Sequence, residues 1–320
     1  MTYPIPFHAG EIAVQVRAGV TARTREMAAR AIRGAMPLQH QELFESLPLM
    51  FLSLLDGRGR PWAVPVSGVP GFAKAISPQR LSLSRMPDLV ADFELDTGPG
   101  AGIGLIGIDL ATRRRNRMNG YVASCDVGLE IAVGQSFGNC PKYIQTRAFE
   151  PSRADPPPPV RQQLPLESDA VRNIIAGADT FFIASRGARL VENANEGLDV
   201  SHRGGRPGFL GINENGTLSF PDFSGNNYFN TLGNIVADGR AGLLVPDFAS
   251  GAALYLTGRA AVDWTSDRAD AFAGAERIVD FVPEEIWFVD HAFPTVARLL
   301  EVWPDLNQTG SWHDAHPTRA

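Results

Sequence analysis

Pro207-Gly208-Phe209, Leu218-Ser219-Phe220, Gly242-Leu243, Asp247 and Gly258 restate, in the same order, Pro70-Gly71-Phe72, Leu81-Ser82-Leu83, Gly104-Leu105, Asp109 and Gly120. The offset is 137 residues at the first motif and 138 at the last, so one inserted residue reconciles the whole stretch. A period this long is too coarse for a solenoid and marks a duplicated domain. Between the second and third motifs the copies part. The later copy holds Asp222-Phe223-Ser224-Gly225-Asn226-Asn227-Tyr228-Phe229-Asn230, running on to Asn234, where the earlier holds Leu89-Val90-Ala91-Asp92-Phe93-Glu94-Leu95. Ser201-His202-Arg203-Gly204-Gly205 likewise stands against Val64-Pro65-Val66-Ser67-Gly68. One framework with polar residues in one copy predicts one functional site per chain, on the second copy.

Outward from the repeat, Leu49-Met50-Phe51-Leu52-Ser53-Leu54-Leu55 reads as a buried strand closed by a turn at Asp56-Gly57. Short strands punctuated by Gly and Pro continue to about Gln145, the rhythm of a small antiparallel barrel. Residues 49–150 are therefore expected to form a first barrel and 167–290 a second. A stiff linker at 151–166 is centred on Pro156 to Pro159. Within the second half, Ser168 caps a helix running to about Gly177, and a further helix is expected from about Asn226 to Ala237, with Phe229, Leu232 and Val236 on one face. A hairpin is expected from Ala241 to Val262. Residues 1–48 are expected to be an extended arm to about residue 20, a helix from Thr21 to Met36 stopped by Pro37, and a short helix at about 39–46. Residues 291–320 are expected to hold a helix at Pro294–Val302, burying Val296, Leu299 and Leu300, and a solvated tail with His313 and His316.

The 320 residues carry 44% hydrophobic and 20% charged side chains, the balance of a globular protein able to bury two cores. A net charge of −6 argues against nucleic acid as a partner, since phosphate backbones are met by massed Lys and Arg. No apolar run has the length of a membrane span or a signal-peptide core, so the expected address is the cytoplasm. Two cysteines, Cys125 and Cys140, are expected to be free, and the scattered histidines predict no metal site. Cys140 is expected to be a buried packing residue, although Lys142 stands near it. No nucleophilic triad assembles, and no catalytic residue is assigned.

The candidate ligand residues lie on the second copy. Gly204-Gly205 would let a flat ligand approach the backbone, or would form a β-bulge. His202 and Arg203 add donors, and Arg203 can fork onto a phosphate, unless it is a solvated edge charge. Ser224-Gly225 before a helix start at Asn226 would make an anion site, with Asn227 and Asn230 as neutral donors; Asn226 also suits a plain N-cap. The glycine-rich run at Gly98–Gly107 is not a dinucleotide loop, because the repeat makes it a strand with no helix after it. Arg113-Arg114-Arg115 and Arg117 map onto the hairpin tip Ala249-Ser250-Gly251 and are expected to form a solvated turn, with a neighbouring subunit's phosphate as a further reading.

Asp199 through Phe209, Phe220 through Asn234 and Arg240-Ala241-Gly242-Leu243-Leu244 together resemble the flavin-binding split barrels related to pyridoxamine 5′-phosphate oxidase. Gly138-Asn139-Cys140-Pro141-Lys142-Tyr143-Ile144-Gln145 resembles the two-barrel members of that family. The resemblance covers about residues 45–290. It implies a mainly β fold with flanking helices, two tandem antiparallel split β-barrels of six strands each, and FMN at the seam between barrels. FAD is a less favoured ligand and haem the alternative. Simpler members form that seam between two chains, and a homodimer is expected here. The implied cofactor-binding set is Ser201, His202, Arg203, Gly204, Gly205, Pro207, Asp222, Phe223, Ser224, Asn226, Asn227, Asn230 and Lys142. In the oxidase, the loop matching Ser224–Asn230 supplies Arg and Lys to the flavin phosphate; this chain has Asn226, Asn227 and Tyr228 there. The phosphate charge then falls to Arg203, Arg206, Lys142, Arg147 or the helix terminus. The oxidase's substrate-phosphate signature has no counterpart, so the implied activity is a flavin-dependent oxidoreductase with a small-molecule electron donor or acceptor, or else flavin or haem binding without turnover.

Overall fold

The computed structural model of the chain describes residues 6–151, 157–190, 195–265, 267–293 and 295–315. Three helices lead in: α1 (Ala9–Arg17), α2 (Ala22–Ala31) and α3 (Leu38–Ser46). The first half then forms β1 (Leu49–Leu55), β2 (Pro61–Ser67), β3 (Ala73–Ser77), β4 (Arg80–Leu83), β5 (Gly102–Asp109), β6 (Arg114–Ser124) and β7 (Leu129–Gly138). After β8 (Thr146–Pro151), β9 (Val160–Gln163) and α4 (Asp169–Gly177) come β10 (Thr180–Arg186), β11 (Leu198–Gly204), β12 (Gly211–Ile212) and β13 (Leu218–Phe223). Then follow α5 (Asn230–Ala237), β14 (Arg240–Asp247), β15 (Ala252–Asp263), α6 (Asp267–Ala271), β16 (Ala275–Asp290), β17 (Thr295–Glu301) and a closing turn of helix, α7 (Trp312–Ala315).

The two large sheets have one strand order. The first runs β2-β1-β5-β6-β7-β4-β3 and the second β11-β10-β14-β15-β16-β13-β12, which are equivalent strand for strand. Both are antiparallel and curl without closing, as two tandem split barrels do. Each path has seven strands where six were expected, because the short β3 and β12 count as edge strands. The register repeats as well: Asp109 faces Arg114 as Asp247 faces Ala252, and a bulge breaks the ladder just before Gly120 and just before Gly258. Both hairpin tips are tied alike, by Asp109 onto Ala111 N and Thr112 Oγ1 and by Asp247 onto Ala249 N and Ser250 Oγ.

The halves pack against each other inside the chain. Phe51 of β1 and Phe182 of β10, equivalent residues, stack with ring centroids 3.5 Å apart. One apolar cluster runs through this seam, joining Phe51, Leu52 and Leu105 to Ala184, Val200, Leu244 and Tyr255. A second fills the interior of the later half around Phe181, Phe209, Phe220 and Leu243.

Several expected elements differ. Residues 9–17 are helical rather than extended: His8 and Glu11 close a capping box, and α1 lies on α5. The second helix ends at Ala31, because Arg33 exchanges backbone hydrogen bonds with Ser136. Ala28 and Ile32 are buried, whereas Met27 and Ala31, on the same side, are exposed. The helix expected at Pro294–Val302 is the strand β17, paired with β8; Leu299 and Leu300 are exposed, and only Ala297 is buried. Backbone partners on β8 override the local helix preference of Val296–Glu301. Pro156, Pro294 and His316 lie outside the described residues. The linker region contains β9, which pairs with β16. The tail as far as Trp312 is packed, its indole donating to Phe209 O and Ser219 O.

Candidate functional site

A cleft opens at the seam, where β11, β13 and the start of α5 face β6 and residues 139–143 of the first half. Its free interior is narrow, about 100 Å³, behind a wider mouth. Ser201, His202, Arg203, Gly204, Asp222, Phe223, Ser224, Asn226, Asn227, Asn230 and Lys142 all line it. Gly205 and Pro207 do not.

Gly205 has a structural reason instead. A Cβ there would collide with the Phe209 ring, and one at Gly68 would stand 2.6 Å from Phe72, so both copies need this glycine. Gly204 faces the Tyr143 carbonyl, which a Cβ would strike. The pair thus allows strand and loop to touch, with Gly204 also lining the cleft.

The expected helix start is shifted. Asn226 accepts from Tyr228 N at 3.1 Å as a turn, and Asn227 and Phe229 take positive φ of 62° and 58°. Left-handed residues cannot continue a right-handed helix, so α5 begins at Asn230. Leu232 and Ile235 form its buried face, while Val236 is exposed. Phe229 offers no side-chain cap, and Asn230, Thr231 and Leu232, the first residues of α5, border the cleft. The first N–H groups of a helix have no partner within it, and they carry the positive end of its dipole.

Residues of the first half complete the charge. Strand β6 starts at Arg114, so a period of two sends Arg115 and Arg117 together into the cleft, and the expectation of a solvated turn fails for both. The missed signal was this alternation, together with a partner strand from the other copy. Arg117, 5% exposed, pairs with buried Asp199, and its guanidinium lies 4.9 Å from the Phe137 ring centroid. Arg203 Nη1 donates to Asp222 Oδ1 at 2.9 Å, while Arg277 holds the other oxygen at 2.9 Å. Asp222 is therefore an orienting acceptor for Arg203. Lys142 Nζ stands 3.5 Å from Ser224 Oγ, and Tyr143 donates to Ser224 O at 3.1 Å. Cys140 also lines the cleft, beside Arg115 and partly exposed, rather than packing in a core. Cys125 and Cys140 are both free thiols.

Burial, opposed by the Cys140 thiol and helped by Arg203, lowers Arg115 to about 10. Burial and then repulsion by Arg115 and Arg203 lower Arg117 to about 9. Both stay charged at neutral pH. Four cations thus border the cleft, against Asp222 on its wall and Asp199 behind it. His202 is 6% exposed; burial first, then Arg115, Arg147 and Arg203, hold its pKa well below the usual value, so it is neutral. Its Nδ1 stands 3.4 Å from Arg115 Nη1 and accepts, which leaves Nε2 carrying the proton with no partner among the described residues. Arg115 Nε and Arg203 Nε are also buried and unpartnered. Arg206 sits elsewhere, bonded to Thr309 O and paired with Asp314, and Arg147 pairs with Asp179. Neither lines the cleft.

No known family profile matches the chain, and no curated protein does. Among solved structures, HupZ of Group A Streptococcus overlaps 37% of this chain and 90% of its own, at 10% identity and a TM-score of 0.30. A putative pyridoxamine 5′-phosphate oxidase from Lactobacillus delbrueckii overlaps 37% and 91%, at 18% identity and 0.29. A protein related to general stress protein 26, of the pyridoxinephosphate oxidase family, from Clostridium acetobutylicum overlaps 41% and 92%, at 11% and 0.27. The fold assignment rests on the strand order and register above.

Proposed function

We propose that the cleft binds FMN, one per chain, and that the protein is a flavin-dependent oxidoreductase. The observation that carries this reading is the meeting of Arg115, Arg203 and Lys142 with the start of α5, whose N-cap residue Phe229 makes no side-chain cap hydrogen bond. The residues suit the phosphate end of FMN. Arg115 and Arg203 have buried, unsatisfied donors, and Asp222 holds Arg203 in place. For the ring, His202, Asn226 and Asn227 offer neutral polar groups, and Tyr143, Phe223 and Phe229 offer flat apolar faces.

Bound flavin supplies the redox chemistry; the chain binds, orients and shields it. No side-chain acid or base is then required. The site draws on both halves of one chain, so binding does not depend on the homodimer expected from the sequence.

The test is the purified protein's absorption spectrum, followed by titration of the apoprotein with FMN. A flavin spectrum that bleaches with NAD(P)H supports the full reading. Flavin that no nicotinamide reduces would leave a binding protein without turnover, and a Soret band would replace flavin by haem.

A further inference from the structure

A second hollow lies away from the cleft, between α4, the β14–β15 turn and the β8–β17 ribbon, with about 570 Å³ of free space. Its wall is mostly apolar, from Ile174, Pro246, Phe248, Val296 and Leu299. A concave apolar pocket with a few convergent polar groups is the usual form of a small-molecule site. Here the polar group is Arg147, 6% exposed and 4.7 Å from the Phe248 ring centroid. Its Nη2 donates to both oxygens of Asp179 at 2.5 Å, yet its Nη1 is buried with no partner among the described residues. A buried donor without a partner costs stability, which an acceptor that reached it would restore.

We propose that this groove binds a small, neutral, mainly apolar molecule through an acceptor oxygen aimed at Arg147. Neutrality follows from the local charges: Arg147 and Arg298 border the groove with Asp179 and Asp247, and each arginine is already paired, Arg298 with Glu150. A carboxylate ligand would gain no net attraction. The groove is walled off from the cleft by Gln145, fully buried, whose amide lies 3.1 Å from Tyr143 O on the cleft side and 3.4 Å from Asp179 O on the groove side. Arg147 also borders a smaller hollow of about 200 Å³ beside Leu49 and Phe51, which Leu299 does not reach.

Fluorine NMR of the full chain tests this with para-fluorobenzamide, para-fluorobenzoate and para-fluorotoluene. The amide is expected to bind saturably, with the toluene at least about tenfold weaker for want of an acceptor. The benzoate is expected to bind more weakly than the amide. Leu299→Trp, a change at a half-exposed strand position, should fill the larger hollow and abolish binding, whereas Arg203→Met in the cleft should leave it unchanged. Arg147→Met should weaken the amide to the level of the toluene; if that variant does not fold, Leu299→Trp decides. No saturable binding of the amide, equal binding of the toluene, benzoate as tight as amide, survival in Leu299→Trp or loss in Arg203→Met would each overturn the proposal.

Discussion

The seam has two equivalent corners, and they have opposite interiors. At one, β11 meets β6: Asp199 pairs with Arg117, and Arg115 and Arg203 stand beside them. At the other, β2 meets β15. The shared registers put Trp62 in the place of Asp199, Tyr255 in that of Arg117, Ala253 in that of Arg115 and Val66 in that of Arg203. There Phe93 fills the space, its ring stacked 4.4 Å from Trp62 and 5.5 Å from Tyr255, with Trp287 at 6.1 Å. One backbone thus supports either a charged cleft or a buried aromatic plug, and a handful of side chains distinguishes them. The plugged corner packs the halves together through aromatic rings; the charged one is the cleft.

The strongest way to break this contrast is at its buried charges. Arg117→Ala leaves Asp199 buried and unpaired, and should cost about 3–5 kcal/mol in denaturant unfolding. A loss under 1 kcal/mol would mean that the pair is not what holds this corner. Phe93→Ala should cost about 3 kcal/mol by opening a cavity in the plug while FMN affinity stays the same. Weakened FMN binding there would show that the plug belongs to a second site. Arg115→Ala copies the plugged corner's Ala253 and should weaken FMN binding roughly ten- to a hundredfold, the loss of one charge-assisted contact. Ser67→Ala, beside the point equivalent to the cleft strand, is the matched control and should change affinity less than twofold, about 0.4 kcal/mol.

A smaller effect concerns pH. Glu11 of α1 accepts from Asn230 at the cleft and from His8 N at 2.7 Å. Burial, opposed by those hydrogen bonds and by Arg117, raises its carboxyl from 4.5 to about 8. The folded chain therefore binds this proton between those values while the unfolded chain releases it. The stability it supports is full below 4.5 and falls as pH rises towards 8. The slope is at most about 1.4 kcal/mol per pH unit. Glu11→Gln should flatten the curve of melting temperature against pH from 5 to 8; an unchanged slope would place the titration on another group.

Much of this was legible in the chain. Repeated Gly, Asp and Leu motifs marked the duplication because turns, bulges and strand alternation place strict demands on residue type, and both copies meet them alike. The polar set of the second copy marked the corner that stayed open. What was hidden depended on contacts far apart in sequence. Arg115 and Arg117 looked like a hairpin tip until β6 was seen to face β11. The packing role of Gly205 shows only beside Gly68, which meets Phe72 in the same way as Gly205 meets Phe209. The start of α5 was displaced because Asn227 and Phe229 take left-handed backbone, which an aromatic residue does not announce. Ribbon β8–β17 joins segments more than 140 residues apart, so no local pattern favoured a strand there.

The central claim is that one corner of the seam binds and the other is sealed. Titration of apoprotein with FMN at concentrations well above the dissociation constant counts the open corners directly. One FMN per chain, with affinity weakened roughly ten- to a hundredfold in Arg115→Ala and kept in Phe93→Ala, is the expected result; two per chain, or none, would contradict it.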